Sequence, residues 1–124
     1  MSDRLLADGA SCPETSVAAT KSYIATLSAI AQIVGGWTQD PAFNKALVTL
    51  PASLEKALGK DWLDAADAIA KSDGLYVIGR GPAFAIAQEA ALKFKETSSL
   101  HAEAFSAAEV KHGAMALVTK DFPL

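Results

Sequence analysis

The sequence predicts an α/β fold with a parallel sheet, set in a helix-rich stretch of chain. Three observations carry this. Leu75–Ile78 is a short apolar run between glycines, the pattern of a strand buried on both faces. Gly79-Arg80-Gly81-Pro82 then turns the chain. A helical pattern follows from about Pro82 to Ser98.

The elements can be justified in order. Residues 1–12 carry no periodicity and read as an irregular leader. A helix is expected from about Ser16, with Tyr23, Leu27, Ile30 and Val34 as its inward stripe and Gly35-Gly36 as its end. Asp40-Pro41 reads as an N-cap followed by proline at the first helical position. Phe43, Leu47 and Leu50 form the stripe of this second helix. Pro51 is expected to break or kink it, with Leu54 and Leu58 continuing the pattern to Gly59. Asp61 is expected to cap a further helix that turns Trp62, Ala66 and Ile69 inward, and Ser72-Asp73-Gly74 is a turn. Beyond the helix ending near Ser98, a short helix at Ser106–Val110 and a second strand at Met115–Thr119 complete the expectation. Two parallel strands are fewer than a buried sheet normally has. The chain is therefore expected to be a piece of a larger α/β domain, or to complete its sheet with another chain.

Composition narrows the class. The chain has 124 residues, 51% hydrophobic and 20% charged, enough apolar character to fold as one domain or part of one. Its net charge is -3 and no basic run points to nucleic acid or an anionic membrane. The single cysteine, Cys12, excludes an internal disulfide and suits a reducing compartment; no activating partner accompanies it. The start lacks a signal-peptide core, and the apolar window Tyr23–Trp37 is interrupted by Thr26, Ser28 and Gln32. A soluble cytoplasmic protein, without nucleic-acid or membrane partners, is expected.

Chemistry concentrates between Leu92 and Gly113, which hold lysines, glutamates and both histidines. Glu89, Lys93 and Glu96, at i, i+4 and i+7, share one helix face. Such a triad is ordinarily a solvated ion-pair cluster. On a helix lining a pocket, a carboxylate beside an ammonium stays ionised and can shuttle a proton between adjacent sugar carbons. His112 sits just before the expected strand; an imidazole titrates near neutral pH, which suits opening a sugar ring. The Gly79-Arg80-Gly81 turn could cradle a phosphate, or be simply a tight turn into a helix. It is no dinucleotide fingerprint, because Phe84 stands where the third glycine belongs. His101, Glu103, Glu109 and His112 match no zinc spacing. No metal and no cofactor is expected.

The run GRGPAFAIAQEAALKFKETSSLHAEAFSAAEVKHGAMALV, Gly79–Val118, resembles the second sugar-isomerase (SIS) domain of the glucosamine-6-phosphate synthase family, also called glutamine–fructose-6-phosphate aminotransferases. It also resembles stand-alone double-SIS amino-sugar-phosphate deaminases and isomerases. ETSVAATKSYIATL, Glu14–Leu27, resembles the stretch that leaves the first SIS domain. The resemblance implies a three-layer αβα fold. Residues 1–15 would end a first SIS domain, 16–73 form a helical linker, and 74–124 open the second domain. It implies that Glu96 is the base moving a proton between C1 and C2, that Lys93 supports it, and that His112 opens the ring in a neighbouring subunit's site. Val17 and Ala19 fall in the sugar-phosphate pocket, and a homodimer is implied.

Departures from the family pattern shape the expectation. Ala19 stands where synthases carry a pocket serine, and Met1 is followed by Ser2 rather than a glutaminase cysteine. These favour the deaminase or isomerase branch. The family's serine- and threonine-rich phosphate loop and its C-terminal lysine have no counterpart in these residues. The chain is therefore expected to be inactive alone. The alternative is an SIS module that binds a sugar phosphate without turning it over.

Overall fold

The computed structural model describes residues 14–119 and Phe122. Cys12 and the leader at residues 1–12 lie outside the described residues. The fold is helix-rich α/β with a small, open parallel sheet, as expected of part of a three-layer domain. Two compact units divide between Lys60 and Asp61.

The first unit is a helical hairpin. Helix α1 spans Lys21–Thr38 and α2 spans Pro41–Leu58. The start at Lys21 is later than the sequence suggested, because residues 16–18 form bends rather than helix. Gly35-Gly36 does not end α1; the helix runs on to Thr38 and stops at Gln39, whose φ of 53° is left-handed. Gly35 has another purpose. It is buried, and a Cβ there would lie 3.1 Å from Leu47 Cδ1, so its bare backbone lets α2 approach. Asn44 Nδ2 donates to its carbonyl at 3.3 Å.

The partly or fully buried positions of α1 include the small and polar residues Ser28, Ala31, Gln32 and Gly35. Of the expected stripe only Tyr23 is half-buried; Leu27, Ile30 and Val34 are exposed. Asp40 caps α2 as the sequence indicated, accepting from the Ala42 and Phe43 N–H groups at 2.8 and 3.3 Å. Phe43 and Leu47 turn inward, whereas Leu50, Leu54 and Leu58 stay exposed. Pro51 does not break the helix, which continues to Leu58 with one backbone donor missing.

The second unit is a β–α–β arrangement preceded by a short helix. Asp61 accepts from the Leu63 N–H at 3.0 Å and starts α3, Leu63–Ile69. Strand β1 is Gly74–Gly79, α4 is Pro82–Ser98, and β2 is His101–Ser106. The strands pair in parallel, Gly74 opposite His101 through Gly79 opposite Ser106. One face of the sheet, with Leu75, Val77, Ala102 and Ala104, packs on Ala91 and Phe94 of α4, joined by Ile69 and Leu100. On the other face Tyr76 is buried between Phe105 and Phe122, with ring centroids 4.8 and 4.7 Å away, both edge-on.

Three expectations fail in this unit. The second strand is His101–Ser106, not Met115–Thr119. The alternation of buried Ala102 with exposed His101 and Glu103 places it there. The helix expected at Ser106–Val110 is the end of β2 and a turn running into the 3₁₀ turn Val110–His112, and a second 3₁₀ turn, Ala114–Leu117, takes up part of the expected strand. Trp62, 65% exposed, and Ala66 face outward rather than inward, and only Ile69 of that expected stripe is half-buried.

Candidate functional site

Helix α4 is set on the sheet by the turn before it. A Cβ on Gly79 would fall 2.7 Å from Phe84 Cα, so only glycine lets the strand end against the first turn of α4. Gly81 has a φ of 57°, the left-handed region that glycine enters at little cost. The Ala107 N–H donates to the Gly79 carbonyl at 3.0 Å, tying the segment after β2 to this turn. Arg80 is exposed.

With Ala87 and Ala91 buried against the strands, α4 presents Glu89, Lys93 and Glu96 on another face. The structure brings these three together as the spacing predicts. Lys93 Nζ lies 2.7 Å from Glu96 Oε2 and 3.2 Å from Glu89 Oε1. The side chains of Lys93, Glu89 and Glu96 keep 20, 21 and 24% exposure, so the cluster is more sheltered than an ordinary surface pair. The Glu96 hydrogen bond, helped by the Glu89 bond and both carboxylate charges, holds the Lys93 ammonium above the ordinary lysine range against partial burial. Two carboxylates around one ammonium leave a local charge of about -1. Thr97 Oγ1 donates to the Lys93 carbonyl at 2.7 Å. The helix ends just beyond, at Ser99, which is left-handed with φ 54°.

His112 closes the first 3₁₀ turn and is exposed. Among the described residues no hydrogen bond or ion pair joins it to the Lys93 cluster. Val17 and Ala19 belong to the first unit, Val17 in the bends before α1 and Ala19 just after them; Val17 is 90% exposed and Ala19 is half-buried. Glu14 was not singled out as a site residue. Its carboxylate accepts from the Ser22 N–H and hydroxyl at 3.1 and 3.3 Å and sits 4.0 Å from Lys21 Nζ. The available signal was an acidic residue ahead of a helix whose N-cap position, Thr20, makes no side-chain cap bond.

An apolar groove of about 590 Å³ also opens in the second unit, lined by Trp62, Ala66, Ile69, Phe94 and Leu100 among others. Among the described residues there is no cluster of histidine, cysteine and acidic side chains fit for a metal, and no helix is long and apolar enough to cross a membrane.

Comparison with known proteins adds to this geometry. Residues 68–124 match the model of the SIS domain. A glutamine–fructose-6-phosphate aminotransferase (isomerizing) of Haemophilus influenzae is 38% identical over 122 residues, and that of Symbiobacterium thermophilum 40% identical over 123. Each match takes in 90% of this chain and 20% of the relative. The chain thus spans about a fifth of the length of these relatives. Among solved structures, a candidate phosphosugar isomerase from Silicibacter pomeroyi aligns with a TM-score of 0.79 at 43% identity, over 85% of this chain and 32% of that one. The C-terminal domain of glucosamine-fructose-6-phosphate aminotransferase from Francisella tularensis aligns with a TM-score of 0.62 at 36% identity, over 66% of this chain and 24% of that one.

Proposed function

We propose, from the premise that residues 68–124 belong to the SIS domain family and that the chain is a partial homologue of its isomerases and aminotransferases, that Lys93 and Glu96 form the proton-transfer element of an amino-sugar-phosphate isomerase site. The 2.7 Å bond between Lys93 Nζ and Glu96 Oε2 carries this reading. The ammonium orients the carboxylate, and the bond uses one of its two oxygens. Glu96 would take a proton from the carbon beside a sugar carbonyl and return it to the neighbouring carbon. A second proton passes from the adjacent hydroxyl to the former carbonyl oxygen, so the carbonyl moves by one position with no change in composition.

In this reading residues 1–15 close a first SIS domain, 16–73 link, and 74–124 open a second. Val17 and Ala19 contribute to the sugar-phosphate pocket. His112, exposed and joined to the Lys93 cluster by no hydrogen bond or ion pair among the described residues, is offered to the site of a second subunit and opens the sugar ring there. Ala19 favours a deaminase or isomerase over a glutamine-dependent synthase. The similarity to the Silicibacter pomeroyi structure supports that branch.

The test is Glu96→Gln in the complete protein. Turnover of the sugar phosphate should fall by at least about a thousandfold while binding is retained, since the amide keeps the shape but cannot accept the proton. Unchanged turnover would remove Glu96 from the mechanism. Sugar-phosphate binding with no turnover in the wild type would favour a binding module. The 124-residue chain alone is expected to show no turnover.

A further inference from the structure

The segment that bears Val17 and Ala19 is not part of α1, and something other than helix geometry must hold it. Residues 16–18 are bends, and Thr20 has helical dihedrals (φ -91°, ψ -42°) but no side-chain cap bond. The capping is done from six residues further back. Glu14 Oε2 accepts both the N–H and the hydroxyl of Ser22, in the first turn of α1. Oε1 is buried, has no hydrogen-bond partner among the described residues, and lies 4.0 Å from Lys21 Nζ. The Glu14 side chain is only 15% exposed. These bonds close a loop over residues 15–21, to which the Ile24 N–H adds a bond to the Thr20 carbonyl at 3.1 Å.

We propose that Glu14 is a positioning residue. Its carboxylate ties the start of the loop to the first turn of α1 and thereby fixes the backbone at Val17 and Ala19 for a sugar phosphate. The proposal rests on the assignment of those two residues to the sugar-phosphate pocket. The chemistry suits the task. A charged acceptor at a helix N-terminus is favoured by the unpaired N–H groups there and gains strength from its charge. Consistent with this, the Ser22 backbone hydrogen bond, aided by Lys21, holds the Glu14 carboxyl below the ordinary glutamate range. Ordering the loop in advance spares the ligand that cost on binding.

Amide NMR of the 124-residue chain, as wild type, Glu14→Ala and Glu14→Gln, tests this. In ligand-free Glu14→Ala, the Ser22 amide should exchange about tenfold faster or more. The Val17 and Ala19 signals should move toward random-coil positions, while those of β1 and β2 stay in place. Glu14→Gln, which retains an acceptor oxygen, should restore much of the order. Val17 and Ala19 signals that do not move in Glu14→Ala would overturn the proposal. If Glu14→Ala unfolds the hairpin, a pH titration of the wild type decides. The Ser22, Val17 and Ala19 amides should follow the Glu14 carboxyl, and following any other group would overturn it.

Titration of the complete protein with fructose 6-phosphate then reads the positioning role. Binding seen at Val17 and Ala19 should weaken about tenfold in Glu14→Ala, through lost pre-organisation rather than lost contact. A disordered loop with unchanged affinity would overturn that role. A wild type responding at Lys93 and Glu96 but not at Val17 and Ala19 would overturn the inference and leave the proposed function standing. A response at neither place would sink the functional reading, and the ligand-free spectra would still decide the loop closure.

Discussion

The two units of this chain bury apolar surface in opposite ways. In the β–α–β unit, Leu75, Tyr76, Ala87, Ala91, Ala102 and Val110 are all buried. In the hairpin unit the one buried residue among those described is Gly35, while Ile24, Ile30, Ile33, Trp37, Val48 and Leu58 are all exposed. The difference is geometric. A strand pair covered by a helix on one face and aromatic rings on the other shields alternate side chains on both sides. Two helices alone can cover only the seam between them. A helical pair that shows this much apolar surface gains little from burial, and isolated helices of this length are marginal in water. Hydrogen exchange should therefore find the amides of β1, β2 and the buried face of α4 better protected than those of α1 and α2. Equal protection in both units would break the comparison.

Substitutions sharpen it. The largest effect is expected from Leu75→Ala, which empties a site 4% exposed at the centre of the sheet–helix core. A loss of about 2–5 kcal/mol in the stability of the second unit is expected, read by chemical denaturation with probes in each unit. An equal loss in the hairpin would mean that the two units unfold as one. Gly79→Ala comes next. Its new methyl would meet the first turn of α4 at Phe84, and the strand and helix must part to admit it. The cost should be about 1–3 kcal/mol, accompanied by weaker signals of the Lys93 cluster. A neutral substitution would show that the turn yields easily.

In the hairpin the corresponding change is smaller. Asp40→Ala removes the cap from two N–H groups of α2 and should cost about 1 kcal/mol, measured as helicity on melting. The smallest effect concerns pH. Lys93 has a higher pKa folded than unfolded, so its ion pairs stabilise the fold fully below the unfolded lysine value. That contribution is lost as pH rises through the raised folded value. A denaturation series across the alkaline range should show the loss in wild type and not in Lys93→Met. A flat wild-type profile would mean that solvent screens the cluster completely.

Much of the second unit was legible in the sequence. Glycines at 74 and 79 bracketed the first strand, and proline at 82 opened a helix whose observed bounds, Pro82–Ser98, match the expected ones. Glu89, Lys93 and Glu96 met because 3.6 residues per turn leave them no other face. The second strand was missed because His101–Ser106 is written in alanine and glutamate, residues that favour helices. Pairing beside β1 overrides that preference, and the only local trace is the alternation around Ala102. The run at Met115–Thr119 looked like a strand by apolar content alone, yet no partner strand pairs with it among the described residues.

The sequence by itself determined the local features: the capped start of α2, the glycine turn, the span of α4 and the lysine–carboxylate face. Each depends on backbone preference or helical period over a few residues. The tertiary structure decided which apolar residues are buried, where β2 pairs, why Gly35 lies inside a helix, and that Glu14 caps α1 from a distance. Those outcomes depend on partners brought close by folding, and a partner's approach is a property of three-dimensional packing that no local window of residues encodes.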